Sequence, residues 1–245
     1  MKRVLLLLAN GFETYEASVF IDVLGWNLVD GDGTTEVITC GINKEIVSTF
    51  NLRVSVDLTI DEVNVDDFDA LAIPGGFEEY GFYGDSYQEA FLELIRKFYK
   101  KDKIIASICV GALPIGKSGI LEGKKPTTYN MKNGIRQNEL KEFKVNVVNQ
   151  PIVIDQKIIT SWNPSTAIDV AFKLLELLTS QNNQTLLEIS WDSLIQSNNV
   201  FLIYSVWYKG SIAGVIGFPD IKGATDPRVL ARRRYQGSEV PRCFC

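Results

Sequence analysis

Cys109 stands where an apolar run meets small residues, in Ile104-Ile105-Ala106-Ser107-Ile108-Cys109-Val110-Gly111-Ala112. A cysteine placed where a buried strand gives way to a helix leaves its thiol at the sheet edge. Gly111 and Ala112 would let strand and helix approach closely. The first N–H groups of the helix and its dipole favour the thiolate, the attacking form, which predicts a thiol pKa below the usual value of about 8.5. The competing reading is a structural thiol, since free cysteine is among the most buried residue types. Two further loops carry polar groups after apolar runs: Asn10-Gly11-Phe12-Glu13 with Glu16 close behind, and Pro74-Gly75-Gly76. A carboxylic acid held against a thiol can take its proton and pass it to a substrate. Glu13 and Glu16 compete for that role, and read alone Glu16 is first of all a solvated glutamate that suits the start of a helix. Backbone N–H groups at Gly75 and Gly76 would stabilise an oxyanion, though the pair by itself is simply a turn.

One absence narrows the chemistry. The chain has no histidine. Ser-His-Asp and Cys-His-Asp catalysis and any histidine-containing metal site are excluded, and a second copy of the chain brings no imidazole either. The 245 residues, 46% hydrophobic and 22% charged, suit a soluble globular chain with one large domain, or one domain plus an appendage. A net charge of −5 gives no general pull toward nucleic acid or an anionic membrane. The apolar run Leu5 to Ala9 ends at Asn10, Gly11 and Glu13, too soon for a signal peptide or a membrane span. Cys40, Cys109, Cys243 and Cys245 are therefore expected to be thiols in a cytoplasmic protein.

The elements that must position these loops alternate. Lys2 to Ala9 reads as a strand buried on both faces, followed by a helix from Thr14, its N-cap, to about Asp30. Strands are expected at Thr35–Cys40, Phe68–Ile73, Lys103–Ile108, Val145–Val148 and Ile158–Ser161, and residues 45–58 suit a small hairpin. Helices are expected at Tyr87–Lys100, at Val110–Leu121 with Pro114 in its first turn, and at Pro164–Leu178. This alternation predicts an α/β fold with a mostly parallel sheet covered on both faces. Ligands on such sheets sit beyond the carboxyl ends of the strands, where strand order reverses. All three polar loops fall at such ends.

Ala106-Ser107-Ile108-Cys109-Val110-Gly111-Ala112, Pro74-Gly75-Gly76, Asn10 through Ala17 and Thr160-Ser161-Trp162-Asn163-Pro164 together resemble the DJ-1/PfpI (ThiJ) family, in the right order over residues 1 to about 180. The resemblance implies a flavodoxin-like sandwich, similar to class I glutamine amidotransferases, a homodimer, and a cysteine readily oxidised to sulfenic or sulfinic acid. It also implies glutathione-independent glyoxalase or deglycase-type chemistry on small 2-oxoaldehydes. By position it makes Cys109 the nucleophile and Glu16 its acidic partner, with Gly75, Gly76 and Val110 on the oxyanion side. Many members carry a histidine shortly after the cysteine helix. Here that stretch reads Pro126-Thr127-Thr128-Tyr129-Asn130, with Tyr129 in the histidine position. A phenol of pKa near 10 donates a hydrogen bond but is a poor base at neutral pH. Cys-His protease, amidase and glutamine amidotransferase activity are thus set aside, while Cys-Glu chemistry remains. The alternative is a non-catalytic redox sensor or protective protein acting through Cys109. No metal, organic cofactor, nucleic acid or membrane partner is implied; the expected partner is a small aldehyde.

The resemblance covers residues 1–183, leaving 184–245 as an extension, a partial domain or a fusion. Val200 to Phe218 reads as a β-hairpin with a Lys209-Gly210 turn, faintly resembling the central hairpin of GNAT-type acetyltransferases. Arg234 to Glu239 is a poor partial match to that family's pyrophosphate loop. Acidic residues lead basic ones 25 to 18 through residue 183, whereas basic residues lead 7 to 5 afterwards. Arg232-Arg233-Arg234 suits a solvated surface better than a nucleic-acid site. Cys243-Phe244-Cys245 alone is a weak metal signal, because structural sites use four ligands.

Overall fold

The computed structural model describes residues 1–196, 204–208 and 211–216, with side-chain surroundings through residue 188. Strand β1 (Lys2–Leu8) is the expected continuous apolar run. Val4 through Leu7 have no exposed surface, as a strand covered on both faces requires. Helix α1 (Thr14–Val29) is capped by Glu13, whose carboxylate accepts from the Tyr15 N–H, and not by Thr14. The Thr14 hydroxyl is turned to Ser48 Oγ, 3.0 Å away. Then comes β2 (Thr35–Gly41). The expected small hairpin is the antiparallel pair β3 (Glu45–Val47) and β4 (Arg53–Ser55). It leads to β5 (Leu58–Thr59), which joins the main sheet beside β2.

Strand β6 (Ala70–Ile73) ends at the Pro74-Gly75-Gly76 turn. A short helix, α2 (Phe82–Ser86), precedes α3 (Glu89–Lys100), so Tyr87 closes the first instead of opening the second. Strand β7 (Ile104–Ser107) runs toward Cys109. The helix expected from Val110 to Leu121 is shorter: a 3₁₀ turn at Cys109–Gly111 leads to α4 (Ala112–Lys117). Gly119, at φ +90°, ends any continuation. Pro114 does fall in the first turn of α4, where its missing N–H costs nothing.

Helix α5 (Ile135–Lys141) was not legible in the sequence. The strand expected at Val145–Val148 is absent. That stretch is irregular, and Asn146 and Val148 donate singly to the carbonyls of Lys124 and Pro126 at 2.9 and 3.0 Å. Its backbone groups are satisfied by a loop, so no ladder forms. Strands β8 (Ile152–Asp155) and β9 (Ile158–Ser161) form an antiparallel pair, and α6 (Ala167–Leu178) and α7 (Gln181–Gln196) follow.

The seven-stranded sheet has the order β5-β2-β1-β6-β7-β9-β8, parallel except for the β8 edge. This is the predicted α/β, flavodoxin-like arrangement. Strand order reverses between β1 and β6, and because β1, β6 and β7 are parallel neighbours the loops after them meet at one end of the sheet, where such sheets place their sites.

The chain divides into two compact units, Met1–Ser190 and Trp191–Cys245. Residues from 183 onward still pack in the first: the buried Asn183 amide donates to Asn27 Oδ1 at 2.7 Å, and Leu187 has no exposed surface. In the second unit β10 (Tyr204–Tyr208) and β11 (Ser211–Ile216) pair antiparallel, with an irregularity at Val206/Trp207. The Lys209-Gly210 turn, Arg232-Arg233-Arg234, the Arg234–Glu239 stretch and Cys243-Phe244-Cys245 lie outside the described residues. No helix among the described residues is long and apolar enough to cross a membrane.

Asn27 ties the end of the first unit together. It has no exposed surface, and its amide donates to Thr35 Oγ1 and to Asp32 Oδ1, both at 2.9 Å. Asn27→Ala strands the buried Asn183 amide on that side and removes the two donors, so a loss of about 2–3 kcal/mol in urea unfolding is expected. A loss under about 0.5 kcal/mol would show that the network contributes nothing.

Candidate active site

Cys109 has a left-handed backbone, φ +57°, directly after the extended Ile108. A non-glycine residue there carries strain that the surroundings must impose. The imposing contacts are visible. Ile108 N–H donates to Ile73 O at 3.2 Å, Gly111 N–H closes the turn on Ile108 O at 2.9 Å, and the Thr128 hydroxyl donates to Cys109 O at 2.8 Å. Gly111 is required by close approach: a Cβ there would lie 2.7 Å from Ile73 O. The strand-to-helix elbow predicted for Cys109 is thus built, and it is wedged against the end of β6.

The other two loops are tied to each other at Gly75. Its N–H donates to Glu16 Oε2 at 2.6 Å, and its carbonyl accepts from Glu13 N–H at 2.8 Å. A methyl group at Gly75 would meet Glu16 Oε2 at 2.9 Å, and Cys109 Cβ and Val110 N at 3.0 Å each. Those three groups therefore border one point. Of the two candidate carboxyls, Glu16 is brought to the cysteine with no exposed surface, while Glu13 caps α1 at its rim.

Burial dominates the electrostatics. It pushes the Glu16 carboxyl from its ordinary 4.5 up to about 8, and the nearby Glu13 adds to the rise; the Gly75 N–H and the Cys109 thiol oppose it. Cys109 is also held well above the usual thiol value, first by desolvation and then by the Glu16 charge, with the Val110 N–H on the sulfur pulling the other way. The lowered thiol pKa expected from a helix N-terminus is therefore corrected. Only six residues of α4 follow the elbow, too short a helix to outweigh removal of the sulfur from water. Near neutral pH Glu16 keeps its proton. Since Oε2 accepts from Gly75, that proton belongs on Oε1, a buried atom with no hydrogen-bond partner among the described residues.

Other placements differ from expectation. The Gly75 N–H is engaged by Glu16 and does not face an incoming oxygen. Gly76 forms an isolated bridge with Phe12, which keeps the turn against the loop after β1. Val110 N–H is directed to the Cys109 sulfur. Tyr129 is half-buried, and it is its neighbour Thr128 that touches the elbow. Sequence reasoning missed Tyr83 in α2, whose buried hydroxyl has no hydrogen-bond partner among the described residues. No spacing or motif marked it.

Cys40 is a second free thiol, but burial pushes it to about 12 and it belongs to the core. Among the described residues no group of three or more acidic or cysteine side chains is placed to hold a metal. A cleft of about 420 Å³ lies at the opposite end of the sheet, where Lys2 and Lys157 are paired with Asp69 and Asp102.

The pH dependence of stability follows from Glu16. In the folded chain it keeps its proton to about pH 8; unfolded, it ionises above about 4.5. Its contribution is therefore fully present below 4.5 and is lost as pH rises through 8. Glu16→Gln retains the neutral shape and cannot ionise. The variant should gain on the native protein by about 1.4 kcal/mol per pH unit across that window, read by urea unfolding at several pH values. A difference that does not change with pH would contradict the buried neutral carboxyl.

The sequence profile of the DJ-1/PfpI family matches residues 2–177. Deglycase PfpI of Pyrococcus furiosus is 31% identical over 163 residues, covering 66% of this chain and 90% of that protein. An uncharacterised protein of Methanocaldococcus jannaschii is 30% identical over 138 residues, 56% of this chain and 65% of the relative's own length. Among solved structures, DJ-1beta of Drosophila melanogaster superposes with a TM-score of 0.68 at 25% identity, over 78% of this chain and 97% of that one.

Proposed function

This chain belongs to the DJ-1/PfpI family, and on that premise we propose that it converts small 2-oxoaldehydes to hydroxy acids without glutathione, through Cys109 and Glu16. The observation that carries the proposal is the buried Glu16 carboxyl, fixed by Gly75 at 2.6 Å beside the cysteine and pushed up to about 8. An acid of that strength is poised to take and return protons near neutral pH, with no imidazole required. A relative from Pyrococcus furiosus carries the name deglycase, which is in keeping with aldehyde-directed chemistry.

For methylglyoxal the steps balance as follows. The Cys109 sulfur adds to the aldehyde carbon; the S–C bond forms, the carbonyl π pair moves to oxygen, and the thiol proton reaches that oxygen through Glu16. Glu16 then gives its proton to the neighbouring ketone oxygen and, as the carboxylate so formed, takes the hydrogen of the former aldehyde carbon as a proton, leaving an enediol and a neutral Glu16. Glu16 returns that proton to the neighbouring carbon and takes up the hydroxyl proton of the former aldehyde oxygen, which gives a thioester of lactate and restores the neutral acid. Water adds to the thioester carbonyl, the sulfur leaves with a proton, and lactate and the free thiol result. Nothing is oxidised or reduced overall; one water is consumed.

A second reading, a redox sensor, draws on the proton on Glu16 Oε1. An O–H beside the sulfur would donate to a sulfinate formed when peroxide transfers one oxygen, then another, to Cys109, releasing water each time.

Turnover separates the two. Methylglyoxal should disappear without glutathione and lactate should accumulate over many equivalents of protein. Cys109→Ser should abolish this, and Glu16→Gln should lower kcat by about a hundredfold or more, the range for loss of a general acid–base. Stoichiometric consumption alone, or equal rates in all three proteins, would sink the enzyme reading and favour the redox one.

A further inference from the structure

Tyr83 carries a hydroxyl that is buried and makes no hydrogen bond within the described structure. A polar atom so placed is costly unless something else meets it, and active sites are where such costs are kept. Its location is specific. The Phe82 ring fills the space beside Gly76, 2.3 Å from where a Cβ on Gly76 would lie, and Gly75 in turn borders Cys109 Cβ and Glu16 Oε2. Tyr83 is the next residue on; burial raises its phenol first, Arg136 opposes the rise, and the charges at Tyr87, Glu139 and, least, Cys109 add to it.

The ring is held in place. It meets Phe82 at 5.3 Å and Tyr87 at 4.9 Å between centroids, and the Arg136 guanidinium lies over it at 5.1 Å. Arg136 cannot swing away easily, because Glu139 binds it through two oxygens at 2.9 Å each and Glu78 at 2.7 Å. Burial keeps the phenol protonated well above its usual range, so the hydroxyl is a donor at any physiological pH. Of the two glycine N–H groups that the sequence suggested, that of Gly75 is committed to Glu16.

We propose that Tyr83 is a substrate-contacting residue of the Cys109 site, whose hydroxyl donates a hydrogen bond to the oxygen of the aldehyde carbon as the sulfur adds. The inference rests on the aldehyde reading above. In that step the S–C bond forms and the carbonyl pair moves to oxygen, which receives the thiol proton through Glu16. Tyr83 stabilises that oxygen and keeps its own proton. A neutral donor in a water-poor wall, already fixed before substrate arrives, is the arrangement that favours a developing alkoxide.

Tyr83→Phe removes one oxygen and leaves the stacked ring. Three quantities are compared with the native protein: the dissociation constant of the reversible methylglyoxal adduct on Cys109, by NMR with isotope-labelled methylglyoxal; kcat/KM for lactate formation; and the rate of Cys109 alkylation by iodoacetamide. The adduct should weaken by about tenfold and kcat/KM should fall by about ten- to a hundredfold, while alkylation stays within about twofold. Native-like adduct stability in the variant overturns the proposal. So does a parallel loss of iodoacetamide reactivity, which would mean that the hydroxyl acts on the fold. Should the native protein form the adduct without making lactate, the enzyme reading fails, yet a weaker adduct in Tyr83→Phe still supports the contact. A native protein that forms no adduct overturns both.

Discussion

The hydrogen bond from Gly75 N–H to Glu16 Oε2, 2.6 Å long and fully buried, is the contact on which the rest of the site depends. A glutamate without exposed surface is tolerated only if its charge is removed or compensated. Here one N–H compensates one oxygen, and the other oxygen keeps a proton up to about pH 8. The same glycine accepts from Glu13, so the start of α1 and the end of β6 are clasped in both directions. Cys109 is then pressed against that clasp by the strained elbow after β7. Three consecutive strand ends of the parallel sheet are thereby fused into one small surface.

The electrostatic outcome differs from the usual picture of an activated cysteine. Burial moves both partners toward their neutral forms, and the Glu16 charge further disfavours the thiolate, so the pair favours holding its protons near neutrality even though the thiol's hydrogen bond eases ionisation of Glu16. Thiolate character then arises by transfer of the thiol proton within the pair during attack, rather than from a standing anion beside a helix dipole. This suits reversible addition to carbonyls, where the proton must end on the new oxygen. The oxygen-stabilising donors must in turn come from groups not already committed to the carboxyl, which is what gives Tyr83 and its Arg136 brace their significance.

Much of this was legible beforehand. The apolar runs at β1, β6 and β7 and the Pro-Gly-Gly and Cys-Val-Gly motifs are short-range signals, and they located the three loops. Glu16 could be chosen over Glu13 only through the family resemblance, because both lie near the helix start and nothing local says which points inward. Three errors have different physical origins. Thr14 lost the cap to Glu13 as its hydroxyl turned to Ser48, the helix after Cys109 stopped short of the left-handed Gly119, and residues 145–148 donate to a loop instead of a strand. Tyr83 was invisible because α2 comes to lie over Gly76 through the Phe82 ring, a contact that no periodicity records.

The central claim is that Glu16 is a neutral acid at the pH where the site works, and its titration can be observed directly. The side-chain carboxyl resonances of the protein, labelled with ¹³C at glutamate, would be followed by NMR from pH 4 to 9. The account predicts one glutamate titrating near 8, absent in Glu16→Gln and displaced in Cys109→Ser. If every glutamate titrates in the ordinary carboxylate range, Glu16 is ionised beside the thiol at neutral pH and the proton-sharing account is wrong.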